Sequence, residues 1–559
     1  MPTKAVDLTE LPRTDTSEVE VSDFQNANIM CEQDGRLYRM PMKQVEDTMF
    51  SDFSTLKEYG VCYDHKTKSA TLTRVGAAAG KQFAIGIGSD IAVNDFKNIY
   101  PYSDIKRCTL ADDGTVTSYI GDANYAEDGS IGQVMVQFPK FYFKRSIDNA
   151  NDKEYWYISS EKLTGYAVWP SFLDADGNEL DYVYLAAFSM TEDSDDDSIG
   201  CSVAEQDGTF KTGYFVAENM ATARGDNWHN VSVDIWFMYQ FLVTVMFATT
   251  NSETIFKGYT NDEFVDCVAD VESYYSTATN VFVSSDLFDS DHTFVKIHKG
   301  MKVNITFDLK KGTYEPTDDD TVEAEDTDSD GTVYQLCTTR RKITDVETVE
   351  ISDSKTVVKA TFSGEAIPIT SIDDSMVEVD KYTGICNEIA DKTAGVLYNS
   401  ELNDNPFVLL GVEYPFSSGY TYVNGIVYRE GELYVTTNPN LYGVRSSSDT
   451  RRMVIDEYTK IGYKASSAGY ITKLGYDSDL PWVLMPDETN GTSESGYCDM
   501  QTGSHTLAAY DYVYRFGGET SLQGGLFAVA SNNTNNNAST RSRSYGRLNC
   551  SIILFYAAQ

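Results

Sequence analysis

Short alternating runs of apolar and polar residues dominate the chain, separated by Gly, Asp and Asn. VMVQFPKFYF (134–143), CTLADDGTVTSYIG (108–121), FVKIHKGMKVNITFDLKKG (294–312) and TVVKATFSGEAIPI (356–369) all carry a two-residue period or β-branched enrichment. Such runs predict strands. Pro139 lies inside one of them, which predicts an edge strand or a bulge there. Six Asp-Gly pairs punctuate the pattern, at 34–35, 113–114, 128–129, 176–177, 207–208 and 330–331. Each predicts a hairpin with a type I′ turn, whose two central residues need positive φ. One stretch breaks the rule. IWFMYQFLVTVMFA (235–248) is apolar throughout, interrupted by Gln240 and Thr244. It is too short to span a membrane and predicts a buried helix, with Asn230 and Ser232 as candidate caps. The expected fold class is therefore α+β and strand-rich. No 20–50-residue repeat recurs, which argues against a propeller, solenoid or long β-helix.

The chain divides by composition into four units. Residues 1–50 have a polar lead and then NIMCEQDGRLYRMPMKQV, a small hairpin too short to bury a core alone. Residues 51–260 form the first part of a body, with strands, the acidic loop TEDSDDDS (191–198) and the buried helix. Residues 261–385 read as an inserted β domain, sandwich-like. Its segment 315–330 has nine acidic residues of sixteen and reads as a mobile loop. Residues 386–559 are dense in Tyr and Gly and end in the apolar strand SIILFYAA.

Charge narrows the function. Lys+Arg is 44 against Asp+Glu 85, a net charge of −41 over 559 residues. A general nucleic-acid binder needs a basic face, so that class is set aside, as is a protein seated on anionic lipid. The amino terminus shows no basic region followed by an apolar stretch, so no signal peptide is expected. Nine cysteines, with no CxxC spacing, fit free thiols in a reducing cytosol rather than a zinc site or disulfide framework. Five scattered histidines form no metal or catalytic motif. There is no GxSxG elbow and no phosphate-binding GxxxxGK[ST] loop. Asp326, Asp328, Asp330 and Gly331 spell DxDxDG, like the start of a calcium loop, but Cys337 stands where a bidentate Glu belongs. A solvated acidic loop is the plainer reading, and no metal or other cofactor is expected. No carboxylate pair is singled out by spacing for glycan hydrolysis.

The least ordinary stretch is SNNTNNNASTRSRSYG (531–546), with five Asn, four Ser and two Thr. No acid follows Glu519, while Arg541, Arg543 and Arg547 reverse the local charge. Short amides offer donors and acceptors together, and Ser, Gly and Tyr are what binding loops use. The apolar strand that follows at once anchors the block. These residues read as a recognition surface, against the bland alternative of an inert flexible loop.

The carboxyl unit resembles the C-type lectin-fold variable proteins of diversity-generating retroelements, whose relatives include phage tropism determinants. The resemblance is carried by GVEYPFSSGYTYVNGIVY (411–428), Gly517-Gly518, Gly524-Gly525-Leu526-Phe527 and Tyr545-Gly546-Arg547-Leu548. GVEYPFSSGYTYVNG is similar to a motif shared with formylglycine-generating enzymes, with Phe416 where that motif has Trp. Cys498 and Cys550 do not sit in the catalytic cysteine motif, so no enzyme activity is carried over. YPYSDIKRC, DGSIGQVMVQFPKFYFK and GNELDYVYLAAF resemble the preceding part of gut-phage tail fibres, and the first 50 residues resemble a fibre attachment region. The resemblance implies a phage tail-fibre receptor-binding protein, assembled in the host cytoplasm and carried on the virion. It implies a homotrimer that contacts other tail or baseplate proteins and binds a bacterial surface receptor, protein or glycan, without nucleic acid, membrane insertion or bound calcium. It points to Asn532, Asn533, Asn535, Asn536 and Asn537 as ligand-binding, then Tyr512 and Tyr514, then Arg541. The alternatives are a structural baseplate or virion component without receptor binding, and a tail glycan depolymerase.

Overall fold

The computed structural model describes residues 28–33, 36–41, 58–87, 93–206, 213–256, 263–266, 281–284, 302–352, 355–367, 376–379, 383–397, 406–533 and 553–557. Within those ranges, 175, 194, 226, 313–314, 317–319, 417–419, 465–466, 503–508 and 519–523 are not described. Among the described residues the chain is strand-rich and has two α-helices, Tyr214–Ala223 and Val233–Phe247. No helix there is long and apolar enough to cross a membrane.

The longer helix is the expected buried one. Every residue from Val233 to Met246 is buried. A helix apolar on all sides needs partners on all sides. Phe241 stacks on Trp156 at 4.8 Å and 14°, Tyr239 packs edge-on to Phe138, and Phe237 packs edge-on to Phe516. Those three partners belong to three different sheets. Such ring pairs add about 0.5–1.5 kcal/mol each beyond area burial. Ser232 is the N-cap residue in extended backbone, but its hydroxyl makes no capping bond. Asn230 is no cap. It ends the strand Trp228–Asn230, and its Nδ2 donates to the Tyr422 carbonyl at 2.8 Å.

The first sheet has five antiparallel strands in the order Ala167–Val168, Tyr142–Asp148, Lys153–Ser159, Glu58–Asp64, Thr73–Gly76. The second has six, in the order Trp228–Asn230, Ile553–Ala557, Tyr182–Ser189, Gln133–Pro139, Lys106–Leu110, Val116–Tyr119. The third has seven, in the order Thr459–Ile461, Glu432–Val435, Thr421–Arg429, Tyr512–Phe516, Val529–Asn533, Met500–Thr502, Gly469–Tyr470. The apolar carboxyl strand therefore closes the second sheet, whose other strands come from residues 106–230. Segments 58–256 and 383–557 build one body in which each supplies strands or core to the other.

Several local expectations change. Gln133–Pro139 is a central strand, and Pro139 is tolerated because it is the last residue, opposite Tyr182. Gly114, Gly129, Gly177 and Gly331 have φ of +82° to +86°, but Asp113, Asp128, Asp176 and Asp330 do not have positive φ. These turns are not type I′. Asp113, Asp128 and Asp330 instead accept the backbone N–H two residues on, at 2.8–3.0 Å. Gln33 pairs with Arg36 across Asp34-Gly35, so the amino-terminal hairpin is present. Asp207-Gly208 lies outside the described residues.

In the insertion, the described strands are joined in one continuous hydrogen-bonded order. The strand Val333–Ser352 joins its halves by pairing first with Lys302–Lys310 and Asp320–Thr327, then with Lys355–Phe362. Half of the acidic run expected as a loop is thus a strand, Asp320–Thr327. Two of its nine acids are paired with cations: Glu325 with Lys311, and Asp320 with Arg341. Asp326, Asp328 and Asp330 accept the N–H groups of Thr327, Ser329 and Thr332 in their own hairpin. Among the described residues no group of three metal-ligating side chains occurs.

Candidate ligand-binding frame

The polar block leaves the third sheet and returns to the second. Asn532 lies opposite Val513 and Asn533 opposite Tyr512, in an antiparallel pairing. The return strand Ile553–Ala557 pairs on one side with Tyr182–Ser189 and on the other with Trp228–Asn230. Asn535, Asn536, Asn537 and Arg541 lie outside the described residues, as do the side chains of Asn532 and Asn533. Both flanks of the block are thus strands with neighbours on each side.

The approach to the block is held by buried polar groups. Gly517 and Gly518 have φ of +92° and +63°. A Cβ on Gly517 would lie 3.3 Å from the Trp236 ring and 3.4 Å from Phe416, and one on Gly518 would lie 2.6 Å from Gly524 Cα. These glycines let two chain segments touch. Asp499 Oδ2 accepts the Phe527 N–H at 2.7 Å, and Ser252 Oγ accepts the Leu526 N–H at 2.9 Å. Gln240 Nε2 donates to the Leu526 carbonyl at 2.7 Å. Asp499 is fully buried, and burial pushes its carboxyl well above the usual range despite the Phe527 N–H. Gly525 leaves the room: a Cβ there would sit 2.1 Å from Asp499 Oδ1.

The other end of the frame is ionic. Asp511, 0% exposed, accepts from Arg429 at 2.8 and 2.6 Å, from Arg452 at 3.0 Å and from the Met453 N–H at 2.7 Å. This clamp fixes the start of the strand that carries Tyr512 and Tyr514.

Those two tyrosines are placed differently from the expectation. Each is 4% exposed. Tyr512 packs edge-on to Tyr428 at 6.0 Å. Tyr514 lines a small depression with Tyr428, Leu433, Lys464, Met485, Pro486 and Gln501. Burial raises its hydroxyl pKa. Both rings are buried groups that brace the frame.

No family model and no curated protein matches the chain. The site is therefore read from its own geometry. Phe416, standing where the resembling motif has Trp, is fully buried, 5.4 Å from Phe407 and against Gly517. His65 and His229 lie 3.3 Å from Glu154 and 2.8 Å from Glu218, inside the fold. His292, His298 and His505 lie outside the described residues. Cys62, Cys108, Cys201, Cys386 and Cys498 are buried and in no disulfide. Sequence reasoning missed Asp499, Ser252 and Asp511. Gln240 was the one legible signal, as an amide interrupting an apolar helix.

Proposed function

We propose that the chain is a phage tail-fibre receptor-binding protein. Its carboxyl part is a C-type lectin-like domain, and the block at 531–546 meets a bacterial surface receptor, protein or glycan. The observation that supports this most is the double tether. A polar Asn/Ser/Thr segment is carried between two strands that belong to two different sheets and share one core. Sequence can vary there without unfolding the frame, because the frame's buried ties (Asp499, Gln240 and Asp511) lie outside the block. In this reading the amino-terminal hairpin joins the fibre to other tail or baseplate proteins, and the fibre is a homotrimer. Three tips raise avidity by linking weak contacts.

The test is host-cell binding by the full chain and by a variant with Asn532, Asn533, Asn535, Asn536 and Asn537 all changed to Ala. The variant should keep its melting temperature and lose the cells. Equal binding by both proteins would place receptor contact elsewhere. Absence of binding by the unaltered chain would favour a structural virion component.

A further inference from the structure

The five-stranded sheet turns one face to the core and one outward. Along Lys153–Ser159, Glu154, Trp156 and Ile158 are buried, so Tyr155 and Tyr157 share the other face. Both are partly exposed. Their rings are parallel within 4° and their centroids lie 6.1 Å apart. That separation is close to the two-residue repeat of a strand, roughly 6.4–6.8 Å.

Register shows what surrounds them. Tyr157 lies opposite Gly60 on one side and Lys144 on the other, and Tyr155 opposite Cys62 and Ser146. Three of those four neighbours are small; the Tyr157 ring lies over Gly60 and Tyr155 bonds the Cys62 side chain, which leaves low ground on the Ser146 side. Gly60 is required there: a Cβ would come within 2.4 Å of the Tyr157 ring and 2.6 Å of the Trp156 carbonyl. The solvated face of an antiparallel sheet normally carries polar side chains at such positions. The next row places Lys153 between Asp64 and Asp148, and Lys144 beside Tyr157 brings the sum of these four charges to zero.

We propose that this outward face is a second binding site, for a neutral oligosaccharide, independent of the carboxyl block. Parallel aromatic rings offer apolar faces to the C–H side of a pyranose. Ser146, Lys144 and the tyrosine hydroxyls offer hydrogen bonds to its hydroxyls. Charge complementarity selects neutrality. A chain of −41 repels acidic glycans and nucleic acid, and the four charges of this face, Lys144 and Lys153 against Asp64 and Asp148, give a cationic ligand no surplus of acid.

The experiment titrates the full chain with maltohexaose, cellohexaose and laminarihexaose, with polygalacturonate as the acidic control. Binding to at least one neutral hexasaccharide is expected, and none to the control. Tyr155→Ala with Tyr157→Ala should weaken binding at least about tenfold, as loss of anchoring aromatics does. Tyr155→Phe with Tyr157→Phe should retain most of it. Ser146→Lys, which fills the floor and leaves both rings, should weaken it too, and covers the case in which the alanine pair does not fold. The carboxyl Asn variant should bind the sugar normally. No binding to any neutral sugar, preference for the acidic polymer, or equal binding by the Ser146→Lys and unaltered proteins would overturn the proposal. So would dissociation of an oligomer by the alanine pair on light scattering, which would make the face a contact between copies of this chain.

Discussion

Two Tyr-x-Tyr pairs sit in interior strands of two sheets, and their fates differ. Tyr155 and Tyr157 are partly exposed, while Tyr512 and Tyr514 are each 4% exposed. The residue between them is buried in both cases, so the difference lies in the face that the tyrosines share. Trp156, between the first pair, is buried, so that strand has one covered face and one open face. Val513, between the second pair, is also buried, at 2%. That strand is covered on both faces. Its Val513 side belongs to the cluster with Tyr214, Tyr420 and Met453, and its Tyr514 side to the main core. Alternation tells which side chains share a face and says nothing about whether the face is covered.

The largest contrast follows directly. Tyr514→Ala should cost about 3–5 kcal/mol, the range for truncating a buried aromatic. Tyr155→Ala should cost about 0.5 kcal/mol or less, as outward substitutions do. Denaturant unfolding of both variants checks this. Similar losses at the two positions would mean that the two faces are equally covered.

The same regions differ in the sign of a buried acid. Burial pushes Glu154 up, but the Arg145 guanidinium at 2.6 Å, with bonds from Trp156 and His65, outweighs it and holds Glu154 at about 2. Asp499 has no guanidinium, and burial leaves it well above the ordinary carboxylate range. The linkage signs are opposite. Glu154 has a lowered folded pKa, so its contribution is present above the unfolded value of about 4.3 and is lost as pH falls toward 2. Asp499 has a raised one, so its contribution is full below about 3.9 and is lost as pH rises through its folded value. Glu154→Gln should cost about 3 kcal/mol at neutral pH, because it strands Arg145, and should flatten the acid limb. Asp499→Asn should gain on the unaltered protein as pH rises. Melting temperatures from pH 3 to pH 9 decide it, and curves that run parallel for all three proteins would refute both assignments.

Much of the architecture was legible in local pattern. The helix over 235–248, the hairpin at Asp34-Gly35 and the carboxyl strand each declare themselves by apolar length or turn chemistry. What pattern could not supply is partnership between distant segments. SIILFYAA reads as a core strand, yet nothing in it names Tyr182–Ser189 as its neighbour. Pro139 suggested an edge, because a proline inside a strand does, and its terminal position dissolves the conflict. The acidic run at 315–330 reads as a solvent-borne loop because most of its described residues are exposed, and what makes half of it a strand is pairing with Val333–Thr339, which its composition does not announce. For the candidate site, composition marked the block itself. The groups that hold it, Asp499 and Asp511, are single acids among 85 and carry no local signature.

The smallest contrast concerns ion pairs in the two regions. Arg452 donates to the buried Asp511 at 3.0 Å and pairs with the exposed Glu430 at 2.9 Å, while its own side chain is 20% exposed. Lys162 pairs with Glu179 at 3.1 Å beside the five-stranded sheet, with its side chain 63% exposed. Water and salt screen the second pair far more than the first. Asp511 also keeps Arg429 and the Met453 N–H when Arg452 is lost, so the clamp weakens without stranding a charge. Arg452→Gln should therefore cost about 1 kcal/mol, and Lys162→Gln about 0.3 kcal/mol. Raising the salt concentration should erase the Lys162 effect and leave most of the Arg452 effect. Unfolding midpoints at low and high salt measure both. If the Arg452 effect also vanished in high salt, solvent would reach Asp511, and the strand leading toward the polar block would be less firmly held than its burial indicates.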